Sequence, residues 1–265
     1  DLGAQVTMIE VAPTLLPGLP AACAKRLESV FRKKGIRIFK DVEVKQVNVG
    51  TADVTLSISA GDNITAEIAL VCVGRQPNVE IAQTLGLELD GPFIRTDQYL
   101  RTSCPTVYAV GDVVRSSQLA HTAQYEAEIA IKNIAEPGSH AVDYSAIPSC
   151  VYTDPEVATV GITETSDDIR EARVPFAANG KAHCDSAIDG FASLFFRRSD
   201  AVIVGGMIVG AHATEIIAVV TLAVSARMDL ATLSRTTFAH PTLSEIIADA
   251  LEVARATLGA HDHGQ

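Results

Sequence analysis

Near the end of the chain the stretch "FAHPTLSE" sets His240 directly before a proline and places Glu245 five positions on, at the mouth of an amphipathic segment. Two readings are open. In the first this is helix-start grammar: Pro241 suits a first helical position, Thr242 and Glu245 have capping-box spacing, and Glu245 only accepts a backbone N–H. In the second, Glu245 orients the His240 ring, so that carboxylate, imidazole and an exchangeable proton line up as a general-base pair. Other places could also carry chemistry. Glu10 closes the apolar run "VTMIE"; an acidic residue at the end of the second strand of a dinucleotide fold accepts ribose hydroxyls, and a solvated strand end looks the same. "VYAVGDV" delivers Gly111 and Asp112 into a turn, where glycine allows close approach and a carboxylate accepts hydroxyls, although an ordinary Gly-Asp loop would share that pattern. "QLAH" then precedes a helix, whose leading N–H groups could face a ligand.

The elements that must position these residues read as α/β. After Gly3 comes a strand from Gln5 to Glu10, with the residues before it resembling the tail of a helix. Next is a helix, "LPAACAKRLESVFRKKG", with Cys23, Leu27, Val30 and Phe31 on one face. "IRIFKDVEVKQVNV", "DVTLSISA" and "NITAEIALVCVG" follow as strands. Residues 93–113 give short strands, and "HTAQYEAEIAIKNIAEPG" gives a helix. Beyond about residue 143 come "SCVYTDPEVATVGIT", a hairpin in "FASLFFRRSDAVIVGGMIVGA", and two long helices, one of them drawn from "EIIAVVTLAVSARMDLATL". The last helix should show Leu243, Ile246, Ile247, Ala250, Leu251 and Ala254 on one face and stop at Gly259, with "HDHGQ" a loose tail. Boundaries fall near 74/75 and 142/143, giving segments 1–74, 75–142 and 143–265.

Composition narrows the options. The 265 residues are 48% hydrophobic and 20% charged, as in a globular chain. A formal charge of -11 argues against nucleic-acid and anionic-membrane surfaces, and no apolar run approaches the roughly 18 residues of a spanning helix. The five cysteines, Cys23, Cys72, Cys104, Cys150 and Cys184, include no C-x-x-C pair, so neither a disulfide framework nor a metal site is suggested, and a reducing, cytoplasmic setting is expected. Cys72, inside an apolar run, reads as core.

Seven stretches, taken in order, carry a resemblance: "VTMIE", "VGRQPN", "TVYAVGDV", "LAHTAQYE", "IPSCVYTDPEVATVG", "GAHATEII" and "AHPTLSE". Together they resemble the flavin-dependent pyridine nucleotide–disulfide oxidoreductases, most closely the members that oxidise dihydrolipoamide. The resemblance implies a partial, Rossmann-like NAD-binding domain (1–74), the closing segment of an FAD-binding domain (75–142) and an α+β dimerisation domain (143–265) that makes a homodimer. It implies that Glu10, Val44 and Gly74 line the NAD site, and that Asp112, Gln118, Leu119, Ala120 and His121 hold FAD. It also implies that His240 and Glu245 are the catalytic acid–base pair, reaching into the active site of the other subunit. The substrate would be dihydrolipoamide on a 2-oxoacid dehydrogenase complex or a similar lipoyl carrier. His240 would take a thiol proton, and the thiolate would attack a redox disulfide, whose electrons pass through FAD to NAD+. With Glu10 in place, and no Arg or Lys before Lys25, the expected nucleotide is NAD and not NADP.

The departures matter equally. The family's C-x-x-x-x-C redox pair and its glycine fingerprints are absent from these residues. The NAD fingerprint should lie roughly 20 residues before the acidic residue, and only nine residues precede Glu10. The residues therefore read as the C-terminal part of such an enzyme and are expected to be inactive alone. Two other readings remain: a soluble pyridine nucleotide transhydrogenase, which needs no redox cysteines, and a non-catalytic dimerisation module. Mercuric reductases fit less well, since no cysteine pair follows Cys184.

Overall fold

Stretches of period-two and period-3.6 hydrophobicity, punctuated by Gly, Pro and Asp, become the short elements of the computed structural model, which describes residues 3–259. In chain order they are β1 (Thr7–Ile9), α1 (Ala21–Lys33), β2 (Arg37–Phe39), β3 (Val44–Val49), β4 (Val54–Ile58), β5 (Asn63–Ala66), α2 (Glu80–Thr84), β6 (Leu89–Asp90), β7 (Phe93–Ile94) and α3 (Ala120–Ala135). There follow β8 (Ser149–Val151), β9 (Glu156–Gly161), β10 (Ile169–Pro175), α4 (Gly180–Cys184), β11 (Phe191–Arg197), β12 (Ile203–Gly210), α5 (Ala213–Ser225), α6 (Leu230–Leu233) and α7 (Glu245–Gly259). The described residues gather into two units, one running up to Val71 and resuming at Cys150, the other holding Cys72–Ser149. The expected helix tail at residues 1–2 and the loose C-terminal tail lie outside the described residues.

In the first unit, β10-β11-β12-β9-β8 form a five-stranded sheet, antiparallel from β10 through β9. Alternation along β11 decides what each face covers. Ala192, Leu194 and Phe196 join α5 and α7 in one core, whereas Phe191 and Phe195 join Cys23, Leu27 and Phe31 of α1 in another. The expected apolar face of α1 is the buried one, and so is that of α7, where Ile246, Ala250 and Ala254 have no exposed surface. Each large aliphatic buried this way contributes roughly 1.5–3 kcal/mol. β1 and β2 pair in parallel around α1, and β3-β4-β5 form a meander.

Four expectations are corrected. The strand foreseen through Val73 ends at Ala66. Ile68 (84% exposed), Leu70 (87%) and Val73 (92%) face solvent, and Cys72, expected in the core, is exposed. No strand among the described residues pairs with this run, so nothing covers its side chains or satisfies its backbone as a sheet would. The helix expected through residue 233 is divided, because Ile203 N–H donates to Met228 O (2.9 Å) and Val202 bridges Asp229, which pulls the chain into extended backbone. α6 restarts with Asp229 accepting from Thr232 N–H at 2.6 Å. Finally, α7 begins at Glu245 and not at Pro241.

Within the second unit, Glu126 on α3 is completely buried. Its Oε2 accepts from Gly111 N–H (2.6 Å) and its Oε1 from the Tyr144 hydroxyl (2.9 Å). Burial, and then the bond to Glu126, push the Tyr144 phenol above its usual range. Gly111 has φ +76°, and a Cβ there would lie 3.2 Å from that of Ala123, so glycine permits the close approach of this turn to α3.

Candidate active site

His240 and Glu245 are brought together by the turn between α6 and α7. Glu245 Oε1 lies 2.9 Å from His240 Nδ1, and Glu245 Oε2 accepts from Thr242 N–H at 2.7 Å. One carboxylate thus contacts both the imidazole and a backbone N–H of the turn. The capping box is only half formed, since the Thr242 hydroxyl turns back to donate to Ala239 O (2.7 Å). The backbone bond from Thr242, and then the bond to His240, hold the Glu245 carboxyl below its ordinary range, and its place in the first turn of α7 favours negative charge as well. An ionised carboxylate only accepts, so Nδ1 carries the proton in this bond and the neutral ring keeps its basic lone pair on Nε2. The ring side chain is 81% exposed, which leaves Nε2 open to an incoming group. One turn on, Asp249 is raised by partial burial and then by the Glu245 charge.

Behind this turn stands Asn179, at the start of α4, which sequence reading did not single out. It is 3% exposed. Its Oδ1 accepts from Ala182 N–H (3.0 Å) and its Nδ2 donates to Thr242 O (3.1 Å). The helix-cap half of that arrangement is visible in "NGKA"; the partner 63 residues away is not.

Among the residues expected to hold FAD, Asp112 sits in a 3-10 turn (Gly111–Val113) with its carboxylate half exposed. Gln118 has φ +51°, and its carbonyl accepts from Arg75 Nη1 at 3.4 Å, with the same guanidinium nitrogen 4.0 Å from Asp112 Oδ2. Leu119 caps α3 without a side-chain bond, and Ala120 and His121 open that helix, which has no acidic residue in its first turn. The His121 ring is fixed by Nε2 bonding Pro148 O at 2.7 Å. Gln118 Nε2 and Ser116 Oγ are buried without a partner. Orphaned donors beside an uncapped helix N-terminus, with the half-exposed Asp112 carboxylate nearby, form a set that fits the carbonyls and polyol hydroxyls of a flavin nucleotide.

The residues expected at NAD are less complete. Glu10 follows β1, where its N–H donates to Phe39 O (2.9 Å) and its carbonyl accepts from Val42 N–H (3.1 Å). Oε1 accepts from Ala12 N–H (2.8 Å), and the other oxygen keeps its lone pairs for a ribose hydroxyl. Val44 opens β3 and is exposed. Gly74, at φ +125°, lies in an irregular segment of the other unit. Glu10 fits the ribose, and no glycine-rich phosphate turn occurs among these residues.

Comparison with known proteins identifies the family. The family model described as pyridine nucleotide-disulphide oxidoreductase matches residues 1–127, and the dimerisation-domain model of that family matches residues 147–251. The chain is 39% identical over 271 residues to a dihydrolipoyl dehydrogenase of Geobacillus stearothermophilus, covering 97% of this chain and 57% of the relative. It is 36% identical over 267 residues to that of Bacillus subtilis (strain 168), covering 96% and 56%. Among solved structures, LpdA from Mycobacterium tuberculosis superposes with a TM-score of 0.88 at 29% identity, covering 97% of this chain and 57% of that one. The chain thus spans a little over half the length of these relatives.

Proposed function

The chain belongs to the pyridine nucleotide-disulphide oxidoreductase family, and from that premise we propose that its residues supply the proton-transfer and subunit-pairing parts of a dihydrolipoyl dehydrogenase. The observation that carries this is the 2.9 Å bond between His240 Nδ1 and Glu245 Oε1 on an exposed ring. In this reading His240 Nε2 accepts a proton from a thiol of dihydrolipoamide. The thiolate is the competent nucleophile toward a disulfide and the thiol is not, so a positioned base raises the rate near neutral pH. Glu245 keeps the proton of the neutral ring on Nδ1 and stabilises the imidazolium that forms. The disulfide lies outside these residues, which hold no C-x-x-x-x-C pair.

Bound FAD would supply a two-electron relay between the disulfide centre and NAD+. Asp112, Gln118, Leu119, Ala120 and His121 would hold and orient it, and the residues proposed for NAD are Glu10 and Val44 in one unit and Gly74 in the other. The three-part organisation 1–74, 75–142 and 143–265 belongs to the same proposal, as does a homodimer in which His240 serves the partner's site. The dimerisation-domain match supports the dimer. A lipoyl carrier of a 2-oxoacid dehydrogenase complex is the macromolecular partner, and a reducing cytoplasm is the setting, in keeping with five free cysteines.

The test joins these 265 residues to the portion of the G. stearothermophilus enzyme that they do not cover. The purified chimera is assayed for NAD+ reduction by dihydrolipoamide and for hydride exchange between two pyridine nucleotides. Dihydrolipoamide-dependent reduction supports the proposal; exchange without it, in a flavin-loaded chimera, favours the transhydrogenase reading.

A further inference from the structure

We propose that Asn179 is a positioning residue for the His240–Glu245 pair, acting through Thr242. The proposal rests on the reading of that pair as an acid–base device. A helix cap uses only a side-chain oxygen, and Ser, Thr or Asp would serve α4 as well. Asn179 has a second end, an amide nitrogen that the cap leaves free, and it donates to Thr242 O at 3.1 Å. The orientation of the amide is fixed chemically, because Ala182 N–H needs an acceptor and Thr242 C=O needs a donor.

Thr242 thereby has each of its three polar groups engaged: the carbonyl by Asn179, the hydroxyl on Ala239 O and the N–H on Glu245 Oε2. Holding Thr242 N–H holds Oε2, and the rigid carboxylate then presents Oε1 to His240 Nδ1. Asn179 is itself anchored to the sheet. Its N–H donates to Phe176 O (2.9 Å), and Phe176 N–H donates to Gly190 O (3.1 Å). The fully buried Phe176 ring occupies the space that a Cβ on Gly210 would need, at 2.4 Å. A continuous polar line thus runs from the core of the sheet through a buried amide to an exposed imidazole.

Two variants of the full chain test this. Asn179→Asp keeps an acceptor for Ala182 N–H and loses the donor; Asn179→Ser caps through its hydroxyl and is too short to reach Thr242. The readouts are hydrogen exchange at the Thr242 and Ala182 amides and titration of the Glu245 carboxyl followed by carbon NMR. The expected result is exchange at Thr242 about tenfold faster, as for loss of one ordinary hydrogen bond, with the Glu245 titration displaced upward and Ala182 protection retained. Unchanged Thr242 exchange and Glu245 titration in a folded variant overturn the proposal. Loss of Ala182 protection together with global unfolding in both variants also overturns it, since Asn179 then serves the fold alone. Glu245→Gln, followed at the His240 ring resonances, separates the two levels. No response there removes the pair itself, whereas a response to Glu245→Gln with none to either Asn179 variant removes only the positioning role.

Discussion

His240 Nδ1 and Glu245 Oε1 stand 2.9 Å apart across the turn that opens α7, while the second oxygen of the same carboxylate holds Thr242 N–H. One side chain therefore couples the start of a helix to the orientation of an exposed base. Disturbing either the helix or the carboxylate should be felt by the imidazole.

The carboxylate has a pH signature. The Glu245 pKa is lowered in the folded protein, first by the Thr242 N–H and then by His240. A depressed folded value means that its stabilisation is present above the ordinary glutamate pKa of about 4.3 and is lost as pH falls through the folded value. Thermal melts of the parent and of Glu245→Gln across this acidic range should converge at the low end and separate toward neutrality. A constant separation at every pH contradicts the assignment.

The anchor of the turn can be disturbed from the sheet side. Gly210→Ala drives a methyl into the Phe176 ring, whose nearest atom is 2.4 Å from the Cβ position. Overpacking of this kind costs about 1–3 kcal/mol, so urea denaturation should show a lower midpoint and His240 resonances should shift. An unchanged midpoint contradicts the packing described.

Ile246 follows Glu245 and has no exposed surface. Ile246→Ala should cost about 2–5 kcal/mol, read by urea denaturation, and should loosen α7 at the end that carries the carboxylate. A loss below about 1 kcal/mol would mean the site collapses around the cavity more readily than this packing allows.

The run Ile68–Val73 gives the opposite expectation. Leu70 and Val73 are 87% and 92% exposed, so the double substitution Leu70→Lys, Val73→Lys should change stability by no more than about 0.5 kcal/mol and should slow aggregation, read by light scattering. A large destabilisation would place the run in a core.

Much of the fold was readable from spacing. "FASLFFRRSDAVIVGGMIVGA" is two apolar runs around a polar turn and folds as the hairpin β11 and β12, and Leu243, Ile246, Ile247, Ala250, Leu251 and Ala254 recur at the period of a helix and are all buried. Local pattern failed where a partner decides the outcome. "IALVCVG" has the composition of a strand buried on both faces, but a strand needs a neighbour, and none among the described residues pairs with it. The break between α5 and α6 is likewise imposed by the pairing of Met228 and Asp229 with residues 202 and 203, in a stretch whose apolar residues would suit a longer helix. For the site, the five-residue spacing of His240 and Glu245 made the pair visible. Asn179 was invisible because its partner is 63 residues away and only the tertiary fold joins them.

Absent both a glycine-rich fingerprint to seat a dinucleotide and a C-x-x-x-x-C pair, the purified 265-residue chain alone should neither retain FAD nor reduce NAD+ with dihydrolipoamide. Flavin absorbance with lipoamide-dependent turnover from that material would contradict the division of labour proposed.

The most direct test of the central claim is the rate at which dihydrolipoamide reduces the bound flavin in the active chimera, compared with its His240→Gln variant at equal flavin content. The account predicts a fall of about 10²- to 10⁴-fold, the range for removing a general base. An equal rate in the two proteins would show that the thiol proton leaves by another route.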